Sequence, residues 1–371
     1  MKSTHLLLTA VALGALVAAC ESKPEPSKEA PAPVASATAA VEAGPSAAID
    51  PASLAPFKPA LPSTFENKDN PLTEEKVQLG KALYFDKRLS KDGDVACNSC
   101  HQVDKFGVDG TPTSEGHKKQ KGGRNSPTVF NAAGHFAQFW DGRAKDVEEQ
   151  AKGPVLNPIE MAMESEKAVV AVLAGVPAYK EQFAKAFPGD KDPITFDNMA
   201  KAIGAYERKL STPSRWDKYL AGDKEALTRE EKIGFNTFVK TGCQACHTGT
   251  LVGGGMYQKL GLVEPWKDES DLGRAAVTKN DAEKMFFKVP SLRNVEKTAP
   301  YFHNGSVSTL EEAVSLMGKH QLGKALSKED VASIVTWLKT LTGEAPKDLI
   351  AQAEAPASAP TPADKAAPKA K

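Results

Sequence analysis

Apolar residues recur at helical spacing between about residues 70 and 343, and the two-residue alternation of strands is scarce. Thr73-Glu74-Glu75-Lys76 opens a helix whose Val77, Leu79, Leu83 and Tyr84 share a broad apolar face. Thr228 and Glu231 have the spacing of a capping box, and Ile233, Phe235 and Phe238 follow. Asp197 to Leu210 carries Met199, Ile203, Tyr206 and Leu210 in register, and Thr309 to Met317 carries Leu310, Val314 and Met317. Ser327 opens a further helix with Val331, Ile334, Val335, Leu338 and Leu341 in line. The pattern predicts a mostly α protein.

The flanks read differently. Glu21 to about Ala60 is Pro, Ala, Ser, Glu and Lys with almost no large apolar residue, and Glu344 to Lys371 has the same composition. Neither is expected to bury a core, so both are read as disordered, a tether in front and a tail behind. Met1 to Ala19 has a weakly basic start, an apolar run from Leu6 to Val17 and then small residues, a secretory signal pattern. The run is shorter than the roughly 20 residues that span a bilayer. Leu16-Val17-Ala18-Ala19-Cys20 resembles a bacterial lipobox, which makes Cys20 the expected lipidated residue of a periplasmic protein that meets a membrane only through its anchor. An ordinary cleaved signal is the alternative. The chain has 47 Lys and Arg against 47 Asp and Glu, a formal net charge of 0, and no basic stripe, which argues against a nucleic-acid partner.

The chemistry lies in two pentapeptides, Cys97-Asn98-Ser99-Cys100-His101 and Cys243-Gln244-Ala245-Cys246-His247. Each is the C-x-x-C-H signature of covalent haem attachment, in which the thiols add across the vinyl groups and the histidine ligates iron. A thioredoxin-like pair or half a zinc site would explain one copy, but two copies in an exported chain predict two covalent haem c groups. The expected architecture is two cytochrome c-like haem domains with long loops: signal segment 1–20, linker 21–60, N-terminal haem domain 61–212, C-terminal haem domain 213–343 and tail 344–371.

What each haem does depends on the other face of its iron. In the second half, Met317 on its amphipathic helix is the expected sixth ligand, with His303 and His320 as competitors and a core methionine as the bland alternative. In the first half Met161, Met163, His117 and His135 all compete. His117 sits in a polar, glycine-bearing loop that is able to move, and the residues alone leave the choice open.

Longer motifs narrow it. Gly122-Gly123-Arg124-Asn125-Ser126-Pro127-Thr128-Val129-Phe130-Asn131, Phe139-Trp140-Asp141-Gly142-Arg143, Asn157-Pro158-Ile159-Glu160-Met161, Phe287-Lys288-Val289-Pro290-Ser291-Leu292-Arg293-Asn294 and Pro300-Tyr301-Phe302-His303-Asn304-Gly305 resemble, in order, the bacterial dihaem cytochrome c peroxidases. The resemblance implies that the enzyme reduces hydrogen peroxide, with peroxide cleaved at the N-terminal haem and electrons entering at the C-terminal one. The electrons would come from a small donor, a cytochrome c or a blue-copper protein. It further implies His117 as a displaceable sixth ligand of the first haem, Met317 as the stable one of the second, and Trp140 as an electron bridge. Glu160 becomes the distal acid–base residue with Phe139 beside it. One calcium ion is implied at Asn125, Thr298 and Pro300, the last two through backbone oxygens. The chain departs from the family in carrying Lys118, where an aromatic residue commonly follows the displaceable histidine. Related dihaem oxygenases that mature a tryptophan-derived quinone carry Tyr on the second haem, and Met317 argues against that activity. The family is often dimeric, and a homodimer is left open because no interface is readable in the sequence.

Overall fold

The structure, a computed structural model, describes residues 46–352. The expected signal segment, Cys20 and most of both Ala/Pro-rich flanks lie outside the described residues.

The first core is built on α1 (Glu74–Phe85), capped by Thr73, whose Oγ1 accepts from Lys76 N at 3.2 Å. It packs against α5 (Phe196–Arg208), capped by Thr195. Between them in sequence come α2 (Val147–Leu156), α3 (Glu166–Ala174) and α4 (Pro177–Ala186), none of which the apolar pattern had singled out. Leu79, Leu83, Tyr84, Tyr179, Phe183 and Tyr206 are buried together. The α1–α5 approach depends on Gly80, where a Cβ would lie 1.8 Å from the Ala202 carbonyl oxygen.

The second core repeats the device. After the short α6 (Arg215–Leu220), α7 (Arg229–Thr241) carries the expected capping box of Thr228 and Glu231. It packs on α9 (Lys328–Leu338), with α8 (Leu310–Leu322) alongside. Here Gly234 makes the close approach, a Cβ there meeting the Ser333 carbonyl oxygen at 2.2 Å. In each half, the helix before the C-x-x-C-H motif is drawn onto the half's closing helix through a glycine. Two three-residue strands, β1 (Tyr257–Lys259) and β2 (Phe286–Lys288), pair antiparallel with Tyr257 opposite Lys288.

The flank boundaries need correction. Pro51–Leu54 forms a helical turn capped by Asp50, and Leu54 and Phe57 are buried in the second core beside Trp216, Phe235 and Trp337. The linker expected to run to residue 60 is therefore folded from about residue 50. At the other end Lys347–Ile350 is helical, and Leu349 is buried in the first core. Tyr206 Oη donates to the Leu349 carbonyl at 2.9 Å, and Lys81 Nζ to that of Asp348 at 2.6 Å. Average composition hid these anchors, because one or two large apolar residues suffice to dock a short segment. The N-terminal segment thus fastens to the C-terminal half and the C-terminal segment to the N-terminal half.

Candidate active site

The first motif is held by the core beneath it. Tyr84 of α1 donates its hydroxyl proton to the His101 carbonyl at 2.6 Å, and Ser99 Oγ accepts from Ala96 N at 3.0 Å. His101 Nδ1 lies 2.9 Å from the Pro127 carbonyl oxygen. A carbonyl only accepts, so Nδ1 carries the proton and Nε2 keeps the lone pair that a metal needs. Burial lowers the His101 pKa, which keeps the ring neutral. His247 is also kept neutral, since burial brings its pKa down to about 4, partly offset by the backbone of Val252 and Pro290, but its buried Nδ1 has no hydrogen-bond partner among the described residues. Pro127 and Pro290 occupy corresponding places in the two halves.

A cavity of about 400 Å³ is lined by Cys97, Cys100, His101, Phe139, Trp140 and Glu160 together. That volume falls within the usual range for cofactor pockets, about 300–1,000 Å³. Burial pushes the Cys97 thiol up to about 12 and the Cys100 thiol to about 11. An uncharged thiol pair, a neutral histidine with a free Nε2 and a largely apolar hollow fit a covalently attached haem.

In the same lining, Glu160 Oε1 accepts from Asn157 Nδ2 at 2.9 Å. Burial raises the Glu160 pKa, and Arg143 and Asn157 oppose the rise. The Arg143 guanidinium lies 3.5 Å from the centre of the Phe139 ring, and Phe139 adopts φ +66°. Trp140 Nε1 donates to the Asn125 carbonyl at 2.9 Å. Besides lining this cavity, Trp140 packs on the cluster of Leu260, Trp266, Met285 and Phe287 against which Met317 of α8 also rests.

Other expected site residues are placed differently. His117 is buried but does not line the cavity; its Nδ1 faces Asp92 Oδ2 at 3.5 Å. Its loop is docked on that of Glu160, with His117 N donating to the Glu160 carbonyl at 2.7 Å. Gly116 permits the approach, since a Cβ there would lie 2.2 Å from the Ile159 carbonyl oxygen. Met161 and Met163 belong to the first core, and Met161 also lines the cavity. His320 Nδ1 lies 2.9 Å from the Glu264 carbonyl oxygen, and His303 stacks on Phe287. Asn125 Nδ2 donates to the Thr111 carbonyl at 3.0 Å and Asn125 N to that of His303 at 2.8 Å. Thr298 hydrogen-bonds to Val295, and among the described residues no hydrogen bond joins Thr298 or Pro300 to Asn125.

Sequence reasoning gave no site role to Arg143, Tyr84, Pro127 or Lys288. It offered His135 only as a competing ligand of the first haem, whereas His135 meets Lys288 inside the cavity at 2.7 Å. A signal for Lys288 was available: it is a lone charge within the apolar run Phe286-Phe287-Lys288-Val289.

These features define a two-haem c-type cytochrome with a carboxylate facing one haem cavity. The family described as di-haem cytochrome c peroxidase matches residues 74–225. The chain is 48% identical over 293 residues to the cytochrome c551 peroxidase of Nitrosomonas europaea, covering 78% of this chain and 85% of that one. It is also 48% identical over 297 residues to the cytochrome c551 peroxidase of Pseudomonas aeruginosa, with the same coverage. Among solved structures, a MauG-like protein associated with microbial copper homeostasis superposes with a TM-score of 0.68 at 29% identity, over 80% of this chain and 96% of that one. The chain belongs to the di-haem cytochrome c peroxidase family, oxidoreductases that act on peroxide and carry two haem c groups. No helix among the described residues is long and apolar enough to cross a membrane.

Proposed function

We propose that the chain reduces hydrogen peroxide to two waters, taking up two protons and two electrons from a small reduced donor protein such as a cytochrome c or a blue-copper protein. The observation that carries this reading is the single cavity lined by Cys97, Cys100, His101 and Glu160, with His117 outside it. Cys97, Cys100 and His101 would hold a haem, which would supply redox-active iron for reductive O–O cleavage. The residues around it move the proton and shape the space. Glu160, ionised, accepts a proton from the nearer peroxide oxygen and returns it to the leaving one. Arg143 holds that carboxylate closer to ionisation than burial alone would allow. Phe139 walls the distal side, and its ring carries the Arg143 guanidinium.

Electron entry is assigned to the second half, where His247 and Met317 would hold the haem iron. The shared packing of Trp140 and Met317 on one apolar cluster supports Trp140 as the bridge. His117 is assigned as the displaceable ligand; its position beside Asp92 supports a distal side open to peroxide. Asn125, Thr298 and Pro300 are the proposed calcium ligands, oxygen donors suited to a hard cation. The leader pattern and Cys20 support a periplasmic, lipid-anchored location.

The test is Glu160→Ala with peroxide turnover followed by stopped flow. Loss of a positioned acid–base residue is worth roughly 10²–10⁴-fold, and the pyridine haemochrome should still count two haems. Near-normal turnover would defeat the assignment.

A further inference from the structure

Lys288 closes β2, a strand of the second half, yet its side chain lines the cavity of the first. It is 6% exposed, and its Nζ lies 2.7 Å from His135 Nδ1. His135 lines the same cavity, with Nε2 buried and without a hydrogen-bond partner. Its ring is packed against Gly254, where a Cβ would come within 2.6 Å.

The charges around this pair are already committed. Arg124 is held by Asp141 and Asp271, both at 2.7 Å, and Arg143 by Asp141 at 3.0 Å. Among the described residues the buried Lys288 ammonium makes no ion pair, and its Nζ has the His135 imidazole as its one hydrogen-bond partner. Such a group is costly unless an anion completes it. Without one, burial drives the Lys288 pKa down to about 7, and burial and then the charge of Lys288 drive His135 well below its usual value. The occupant this cavity fits brings carboxylates of its own: haem c carries two propionates at the edge away from the vinyl groups that bond the cysteines.

We propose that Lys288, aimed by His135, is the counter-cation of a propionate of the haem held by Cys97, Cys100 and His101, so that the C-terminal half completes the electrostatic shell of the N-terminal haem. The inference rests on reading this cavity as a haem site. Lys288 also donates its backbone N–H to the Trp140 carbonyl at 2.8 Å, so one residue pins the propionate and the backbone of the bridging tryptophan. A fixed cation beside the haem disfavours the more positive oxidised state, and Lys288 thereby raises the reduction potential of the first haem.

The experiment uses the two-haem protein and its Lys288→Met, Lys288→Arg and His135→Ala variants. Fewer than two haems per wild-type chain by pyridine haemochrome would remove the cavity assignment itself, separately from the role of Lys288. With two haems present, K288M is expected to lower the midpoint potential of the first haem in a spectroelectrochemical titration and to shift its propionate bending band in resonance Raman. K288R should restore most of both, H135A should give a smaller shift in the same direction, and the second haem should not respond. In the wild type the same band should shift in D2O, as exchange of an ammonium donor requires; this reading stands even if K288M fails to fold. An unchanged first-haem potential and band in K288M, a response confined to the second haem, or a wild-type band indifferent to D2O would each overturn the proposal.

Discussion

Asn131 and Asn294, in matching places of the two halves, donate to one hydroxyl: their Nδ2 groups lie 2.8 and 2.9 Å from Thr212 Oγ1. Both are buried in the left-handed region, at φ 61° and 60°. Their own N–H groups go to the Leu210 and Leu341 carbonyls, and their Oδ1 atoms accept from Thr212 N and Gly343 N. Thr212 Oγ1 thus spends both lone pairs on the junction between the halves.

Thr212→Val should strand two buried amide donors. Each costs about 1–3 kcal/mol, so a loss of roughly 2–6 kcal/mol in urea unfolding is expected. Thr212→Ser keeps the acceptor and should cost far less. A valine variant within about 0.5 kcal/mol of wild type would show that the shared hydroxyl holds nothing together.

The crossed ends make a second prediction. Phe57 contacts Trp216, Phe235, Phe238 and Trp337, and truncating a buried phenylalanine costs about 3–5 kcal/mol. Phe57→Ala should weaken the half that binds at Cys243, although residue 57 precedes the first motif. Leu349→Ala should cost about 2–5 kcal/mol and weaken the half that binds at Cys97. Hydrogen exchange resolved by peptide checks both; protection lost in the sequence-adjacent half instead would refute the crossing.

Much of this was legible in the sequence, for reasons that differ by element. The helices at 74–85, 229–241 and 328–338 announce themselves through a cap and an apolar face, both local signals. The helix at 147–156 escaped because Gly153 and Pro154 lie inside it, and those at 166–174 and 177–186 because their short spans offer few periods. The haem cysteines are contiguous and so are readable. The junction at Thr212 and the Lys288–His135 contact join residues 81 and 153 positions apart, which no local pattern reports. The docking of His117 against Asp92 was unreadable for the same reason.

Acid should act on the second half through Asp217. Burial raises its pKa, but the paired bonds from Arg293 at 2.5 and 2.8 Å, with backbone bonds from Leu61 and Ser214, outweigh burial and leave it below the ordinary value. A depressed native pKa stabilises the fold above the unfolded value of about 3.9, and that contribution is lost as pH falls through the native one. Unfolding free energy should therefore drop more steeply below about pH 4 in the wild type than in Asp217→Asn. Equal slopes would assign the acid sensitivity to other carboxylates.

Arg143 offers the sharpest test of the catalytic geometry. Glu160 is raised by burial and pulled back by Arg143 and then Asn157, so the two influences oppose each other at one carboxyl. If Glu160 must be ionised to accept the peroxide proton, kcat/KM rises with pH through its pKa in the free enzyme. Removing the positive charge leaves burial less opposed, the pKa climbs further, and the acid limb of the profile moves to higher pH. Arg143→Gln should show that displacement. Arg143→Lys keeps the charge while giving up the planar stacking on Phe139, so its limb should stay near that of the wild type even if its plateau falls. An acid limb that does not move in R143Q would mean that the guanidinium positions Phe139 and leaves the ionisation of Glu160 alone.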